Sequence, residues 1–112
     1  MVKMAADHFA RFGYSATSID DLVLACGLQR GSIYKAFGSK LNLFTLCFDK
    51  YASEHNWTSA NLGLDLMIVA LREVVDQDRV INRKARKALA TVSKSKAVSL
   101  LGSRLVRIVE GK

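Results

Sequence analysis

Apolar positions recur at helical spacing from the first residues of the chain onward. Val2, Ala5, Ala6, Phe9 and Phe12 fall three and four apart and stop at Gly13, the pattern of an amphipathic helix. The polar connector Tyr14-Ser15-Ala16-Thr17-Ser18 follows, with hydroxyls suited to capping a second helix. Thr17 with Asp20, or Ser18 with Asp21, has the spacing of a capping box. Ile19, Leu22, Val23 and Cys26 then mark a short helix that ends at Gly27, because glycine takes the left-handed cap conformation at little steric cost. A third helix, about Arg30 to Phe37, sets Ile33 and Phe37 on one face with Tyr34 beside them, and Gly38-Ser39 breaks it. The fourth begins near Lys40 and is expected to reach about His55, with Leu43, Leu46, Cys47 and Tyr51 turned inward.

Beyond Asn56-Trp57-Thr58 the pattern stays helical in three stripes. Leu64, Met67, Ile68, Leu71, Val74 and Val75 form the first. Ile81, Ala85, Ala88, Leu89 and Val92 form the second, backed by Arg79, Arg83, Arg86 and Lys87. Val98, Leu101, Leu105, Ile108 and Val109 form the third. The chain contains no proline, so the strongest helix breaker is missing throughout. The expected fold is all-α: a three-helix helix-turn-helix domain over residues 1–50, its fourth helix continuing to about 55, and a shortened helical dimerisation or regulatory region over 56–112.

The second and third helices meet what a helix-turn-helix requires. A small residue in the turn lets them cross steeply, and Gly27 supplies it. Apolar groups on the inner faces lock the angle; these are Ile19, Leu22, Leu28, Ile33 and Phe37. The outer face of the second helix of the pair must be free of bulky apolar groups to enter a major groove. It reads Gln29, Arg30, Gly31, Ser32 and Lys35.

The runs Phe9-Ala10-Arg11-Phe12-Gly13-Tyr14-Ser15-Ala16-Thr17-Ser18-Ile19-Asp20-Asp21-Leu22 and Ala25-Cys26-Gly27-Leu28-Gln29-Arg30-Gly31-Ser32-Ile33-Tyr34-Lys35-Ala36-Phe37-Gly38-Ser39-Lys40-Leu41-Asn42-Leu43-Phe44 keep the order and gaps of a known signature. Over about residues 2–50 the chain resembles the N-terminal domain of TetR-type transcription regulators. The resemblance implies that Tyr34 and Lys40 contact DNA phosphates and that the Thr17 and Ser18 hydroxyls contact the backbone at the head of the second helix. It implies that Gln29, Arg30, Ser32 and Lys35 face base edges, where Gln suits adenine and Arg or Lys suits guanine. It further implies a repressor that binds a palindromic operator in double-stranded DNA as a homodimer. A small-molecule inducer would be unspecified by this sequence, and no cofactor is expected. Gln29 stands where such regulators usually place a Ser or Thr cap, so the recognition helix is expected to start less firmly.

Charge and composition refine this picture. The 112 residues carry a formal net charge of +7, which favours an acidic partner without specifying a fold. Residues 1–50 contribute +2 and residues 51–112 contribute +5, so the excess lies mostly outside the helix-turn-helix. The stretch Arg79 to Lys96 holds seven Lys or Arg and no acid; it reads first as a solvated face over an apolar stripe and second as extra phosphate contact. The apolar stripe Leu64 to Val75 either completes the core or buries against a second copy, and the short C-terminal region favours the homodimer.

Catalytic and metal-binding readings find little support. His8, His55, Cys26 and Cys47 are scattered singly, without the close ligand pairs of zinc sites. No nucleophile–base pair, glycine-rich phosphate loop or paired carboxylates stand out, so no enzyme is expected. Both cysteines fall on apolar stripes, which suggests reduced, buried thiols. No apolar run approaches the roughly 20 residues of a membrane span, and the first residues lack a signal-peptide pattern; a cytoplasmic protein without membrane partners is the expectation. The competing reading is a non-catalytic interaction module, truncated or divergent, that keeps the helical fold without operator recognition.

Overall fold

The computed structural model describes residues 1–110 and contains seven α-helices and no strand among them. They are α1 (Val2–Phe12), α2 (Ile19–Cys26), α3 (Arg30–Phe37), α4 (Lys40–Tyr51), α5 (Asn61–Val69), α6 (Arg79–Leu89) and α7 (Lys94–Glu110). A π-helical turn, Ala70–Val74, extends α5.

Helix α1 is the hub of the N-terminal half, packing against α2, α4 and α5. Its Ala5, Ala6 and Phe9 are fully buried. The small alanines let α4 and α5 approach closely, while Phe9 meets Phe44 edge-on with ring centroids 5.2 Å apart. Tyr14 stacks on Phe9 at 5.9 Å and meets Phe44 edge-on at 5.3 Å, geometries that the aromatic quadrupole favours. This aromatic group explains why α4 buries Leu43, Phe44, Cys47 and Phe48. The expected inward face of α4 is corrected at Leu46, which is exposed. The helix also stops at Tyr51 rather than near His55. Asn56 ends it: Nδ2 donates to the Lys50 carbonyl at 2.6 Å, and Oδ1 accepts from the Ser53 N–H at 2.9 Å.

Helix α5 is the central element. Gly63, Leu64, Leu66, Met67, Ile68 and Val69 are all buried, as befits a helix enclosed by α1, α4 and α7. Gly63 is required by contact: a Cβ there would lie 2.4 Å from the Tyr51 carbonyl oxygen and 2.7 Å from that of Trp57. Trp57 is buried in the connector, and its Nε1 donates to Thr91 Oγ1 at 3.2 Å. The apolar stripe expected to pair with a second copy is therefore mostly spent inside this chain.

Helix α6 buries Ile81, Ala85 and Ala88 and leaves its cations outside. Two of them reach acids near the end of α4: Lys84 meets Asp49 at 2.8 Å, and Lys87 meets Glu54 at 3.3 Å. Helix α7 is fixed to α5 by Arg104, whose Nε and Nη2 donate to the two Asp65 carboxylate oxygens at 2.6 and 2.9 Å. It faces the core with Ala97, Leu100 and Leu101. Val98, Leu105, Val106 and Val109 are exposed, with Val109 the most open at 74%. The third sequence stripe thus divides, because Arg104 and Ala97 turn α7 so that part of its apolar surface points outward. One hydrophobic core runs from Ala5 to Ala97 through both halves of the chain.

Candidate nucleic-acid interface

The surface builds on three helix N-termini. At the head of α2, Ser18 Oγ accepts from the Asp21 N–H at 3.0 Å, and the Ser18 N–H donates to Asp21 Oδ2 at 2.9 Å. Of the two spacings in the sequence, Ser18 with Asp21 forms the capping box. The backbone N–H of Ser18 and then its hydroxyl hold the Asp21 carboxyl below its usual range. Ser18 remains exposed, so the hydroxyl that caps this helix also faces outward. Thr17 is different. Its side chain is fully buried, and Oγ1 donates to the Gly13 carbonyl at 2.6 Å. The expectation that the Thr17 hydroxyl meets a phosphate is corrected: it closes the α1–α2 loop from within.

Helix α2 ends at Gly27, whose φ of 69° and ψ of 26° are left-handed. Leu22 and Ile33 are buried between α2, α3 and the core, with Ile19, Leu28 and Phe37 half-buried around them. These inner contacts hold α3 so that Gln29, Arg30, Gly31, Ser32, Tyr34 and Lys35 are all exposed. Tyr34 is 44% exposed, well clear of the core that its neighbour Ile33 enters. Gln29 is the N-cap of α3, and its side chain makes no capping hydrogen bond. The helix start is thus weaker than at α2, where Ser18 forms a capping box, and at α4, where the Ser39 side chain accepts from the Asn42 N–H.

Two side-chain contacts draw the helix heads together. Arg30, the first residue of α3, donates from Nη2 to Asp20 Oδ1 in the first turn of α2 at 2.6 Å. This bond and the Asp20 charge raise the Arg30 pKa, with smaller contributions from the Tyr34 charge and hydroxyl. Lys40, the first residue of α4, donates from Nζ to the Tyr14 carbonyl at 3.1 Å and lies 4.1 Å from the centroid of the Tyr14 ring. An ammonium has three donors, so two remain for other acceptors. Burial, and then the charge of Asp78, raise the Tyr14 pKa. Helix N-termini attract anions through free N–H groups and the helix dipole, and here three of them gather around the 14–20 segment.

Seven of the eight sequence-assigned residues, Ser18, Gln29, Arg30, Ser32, Tyr34, Lys35 and Lys40, therefore stand on the surface or at its rim. Two participants were not singled out from sequence. Asp20 reads there as a helix-start acid, and Tyr14 as part of a connector, although an aromatic in a polar connector is itself a signal.

A third participant comes from far along the chain. Glu73, in the π-helical turn, accepts from the Tyr14 N–H at 3.2 Å through Oε2 and from the Ser15 N–H at 2.9 Å through Oε1. Gly13, with φ of 92°, makes room: a Cβ there would lie 2.7 Å from Glu73 Oε2. Burial opposes the Glu73 charge, but the N–H groups of Ser15 and Tyr14, the Ser15 hydroxyl and nearby Arg72 outweigh it and leave the pKa below the ordinary value of 4.5.

The remaining reactive groups are quiet. Cys47 is buried, and desolvation pushes its thiol up to about 12. Cys26 is half-buried and shifted in the same direction, mainly by burial. Among the described residues no group of three or more His, Cys, Asp or Glu side chains could hold a metal ion, and no helix is long and apolar enough to cross a membrane.

Residues 2–47 match the family described as bacterial regulatory proteins, tetR family. An uncharacterised HTH-type transcriptional regulator of Bacillus subtilis strain 168, YezE, is 27% identical over 104 residues, which covers 93% of this chain and 51% of that protein. The chain thus spans about half the length of that relative, and the similarity continues past the helix-turn-helix into the C-terminal helices. No solved structure matches the chain.

Proposed function

We propose, from the match of residues 2–47 to the tetR family, that the chain is a DNA-binding transcription regulator. The observation that carries the reading is the exposed, polar face of α3, braced by buried Leu22 and Ile33. Gln29, Arg30, Ser32 and Lys35 read base edges in the major groove. Ser18, Tyr34 and Lys40 hold phosphates on either side, where backbone contacts fix register and carry no sequence information. The regulator is a repressor that acts as a homodimer on a palindromic operator. Support for pairing comes from α7: Val98, Leu105, Val106 and Val109 leave apolar surface open, beside an apolar groove of about 510 Å³ lined by Leu89, Val92, Ala97, Val98 and Leu101.

The same apolar surface favours the second reading, an interaction module that binds a protein partner without selecting DNA. Incubation with a random duplex pool at about 0.15 M salt, a physiological ionic strength, followed by sequencing of the retained DNA, separates the two. Enrichment of a palindrome is the expected result. Recovery of unselected DNA, or of none, sinks the operator-binding reading.

A further inference from the structure

We infer that Glu73, outside the helix-turn-helix, is a positioning residue for its phosphate-contacting rim and acts through Tyr14 and Lys40. The inference rests on the DNA-binding reading above and extends it to a residue that neither the family match nor the sequence motif includes.

The argument follows a chain of contacts. The Glu73 carboxylate receives two consecutive backbone N–H groups, those of Tyr14 and Ser15. Bonds to an ionised acceptor are shorter and stronger than neutral ones, and this one is set against Gly13, the only residue type that lets the carboxylate come so close. The opposite side of the Tyr14 residue is the seat of Lys40: its carbonyl accepts from Nζ, and its ring lies under the ammonium. Glu73 therefore fixes the loop that places the Lys40 charge at the head of α4. The carboxylate belongs to an element continuous with α5, so the position of the central helix is imposed on the rim. The helix-turn-helix itself ties the carbonyls of this loop, with Thr17 donating to Gly13 O through its hydroxyl and to Tyr14 O through its N–H, while the Tyr14 and Ser15 N–H groups go to Glu73.

The test uses the full chain, the duplex recovered from the random pool, and the variants Glu73→Ala and Glu73→Gln, each first shown by circular dichroism and melting to be folded. Amide hydrogen exchange reads the clasp without DNA: Tyr14 and Ser15 should lose protection in Glu73→Ala and keep part of it in Glu73→Gln, whose single amide oxygen can still accept. DNA affinity should fall about tenfold in Glu73→Ala, the scale of one hydrogen-bonded contact to a charged group. The slope of log affinity against log salt should become shallower by about 0.9, the signature of one lost phosphate contact. Lys40→Ala should then cost little further in the Glu73→Ala background, whereas Lys35→Ala should cost the same in both backgrounds. A simple loss of folded protein would lower affinity without changing the slope or the Lys40 coupling. Unchanged affinity and slope in Glu73→Ala, or additive losses with Lys40→Ala, would overturn the positioning role while leaving DNA binding intact. Absence of any DNA binding by the unmodified chain would overturn the regulator reading and this inference with it. If Glu73→Ala does not fold, the same comparisons on Glu73→Gln decide the matter.

Discussion

Arg30 is held to Asp20 by a 2.6 Å hydrogen-bonded ion pair that joins the first turn of α3 to the first turn of α2. The arginine proposed to read a base thus has a competitor for its guanidinium within the fold, and that competitor is negatively charged beside the surface proposed for phosphates. Both partners are exposed, so the pair contributes little to folding. Asp20→Asn is expected to leave the melting temperature unchanged and to raise affinity for random duplex several-fold. Discrimination at the base read by Arg30 should loosen, because the side chain loses its orienting partner. Anisotropy titrations on operator and scrambled duplexes check both. A weaker affinity for random duplex would mean that the pair serves binding rather than restrains it.

Acid should unfasten the α1–α2 connection first. Glu73 and Asp21 both have folded-state pKa values below their ordinary ones. Groups of this kind contribute stability above the unfolded-state pKa and lose it as pH falls through the folded-state value. For Glu73 the contribution is complete above about pH 4.5, its ordinary value, and fades below it. Melting curves taken from pH 7 to pH 3 should fall steeply at the acid end for the unmodified chain and less steeply for Glu73→Ala. Parallel acid limbs would show that Glu73 is not held below its ordinary pKa.

The helix-turn-helix was legible because its determinants are local. Spacing of Ile19, Leu22 and Cys26, the glycine at 27 and the hydroxyl at 18 each report on residues within one or two turns. Contacts between distant segments left no such trace. Glu73 lies 59 positions from Tyr14 and 58 from Ser15, and a single acid in a helical stripe gives no hint of a backbone partner. Thr17 misled for a related reason: a hydroxyl beside a helix start fits a phosphate contact or an internal bond equally well, and only the fold shows it buried on the Gly13 carbonyl. Leu46 and Phe48 show the same limit on α4, where both faces are apolar enough and the aromatic packing with Phe9 and Tyr14 decides which turns inward.

Gly63 should be among the least tolerant positions of the chain. A methyl group there would meet two backbone carbonyl oxygens at 2.4 and 2.7 Å, and backbone cannot swing away as a side chain can. Gly63→Ala is expected to cost about 3 kcal/mol, the upper part of the range for overpacking, despite the better helix propensity of alanine. Denaturant titration measures it. A gain in stability would show that the α4–α5 connector relaxes freely around this contact.

The exposed side of α7 bears on self-association. Val98 and Val109 are 64% and 74% exposed, so replacing both with glutamate removes little core contact. Val98→Glu with Val109→Glu should leave helicity and melting temperature near those of the unmodified chain, yet shift sedimentation from dimer to monomer. DNA affinity should fall with it, since each half-site would be held alone. A chain that is already monomeric at micromolar concentration would end the homodimer reading of this surface.

Tyr34 and Lys35 are adjacent on α3 and both exposed, yet they are assigned opposite tasks. In the proposed interface Tyr34 contributes a hydroxyl to a phosphate, a contact indifferent to sequence. Lys35 is there proposed to face a base edge, where an ammonium suits guanine. Tyr34→Phe preserves the ring and its packing, so it should weaken binding to operator and random duplex by the same factor, about two- to tenfold for one hydrogen bond. Lys35→Ala should weaken operator binding more than random binding and relax preference at one position in each half-site. Repeating the pool selection with each variant reads both effects at once. A uniform loss for Lys35→Ala would move that residue into the phosphate group and leave Gln29, Arg30 and Ser32 to carry the base readout.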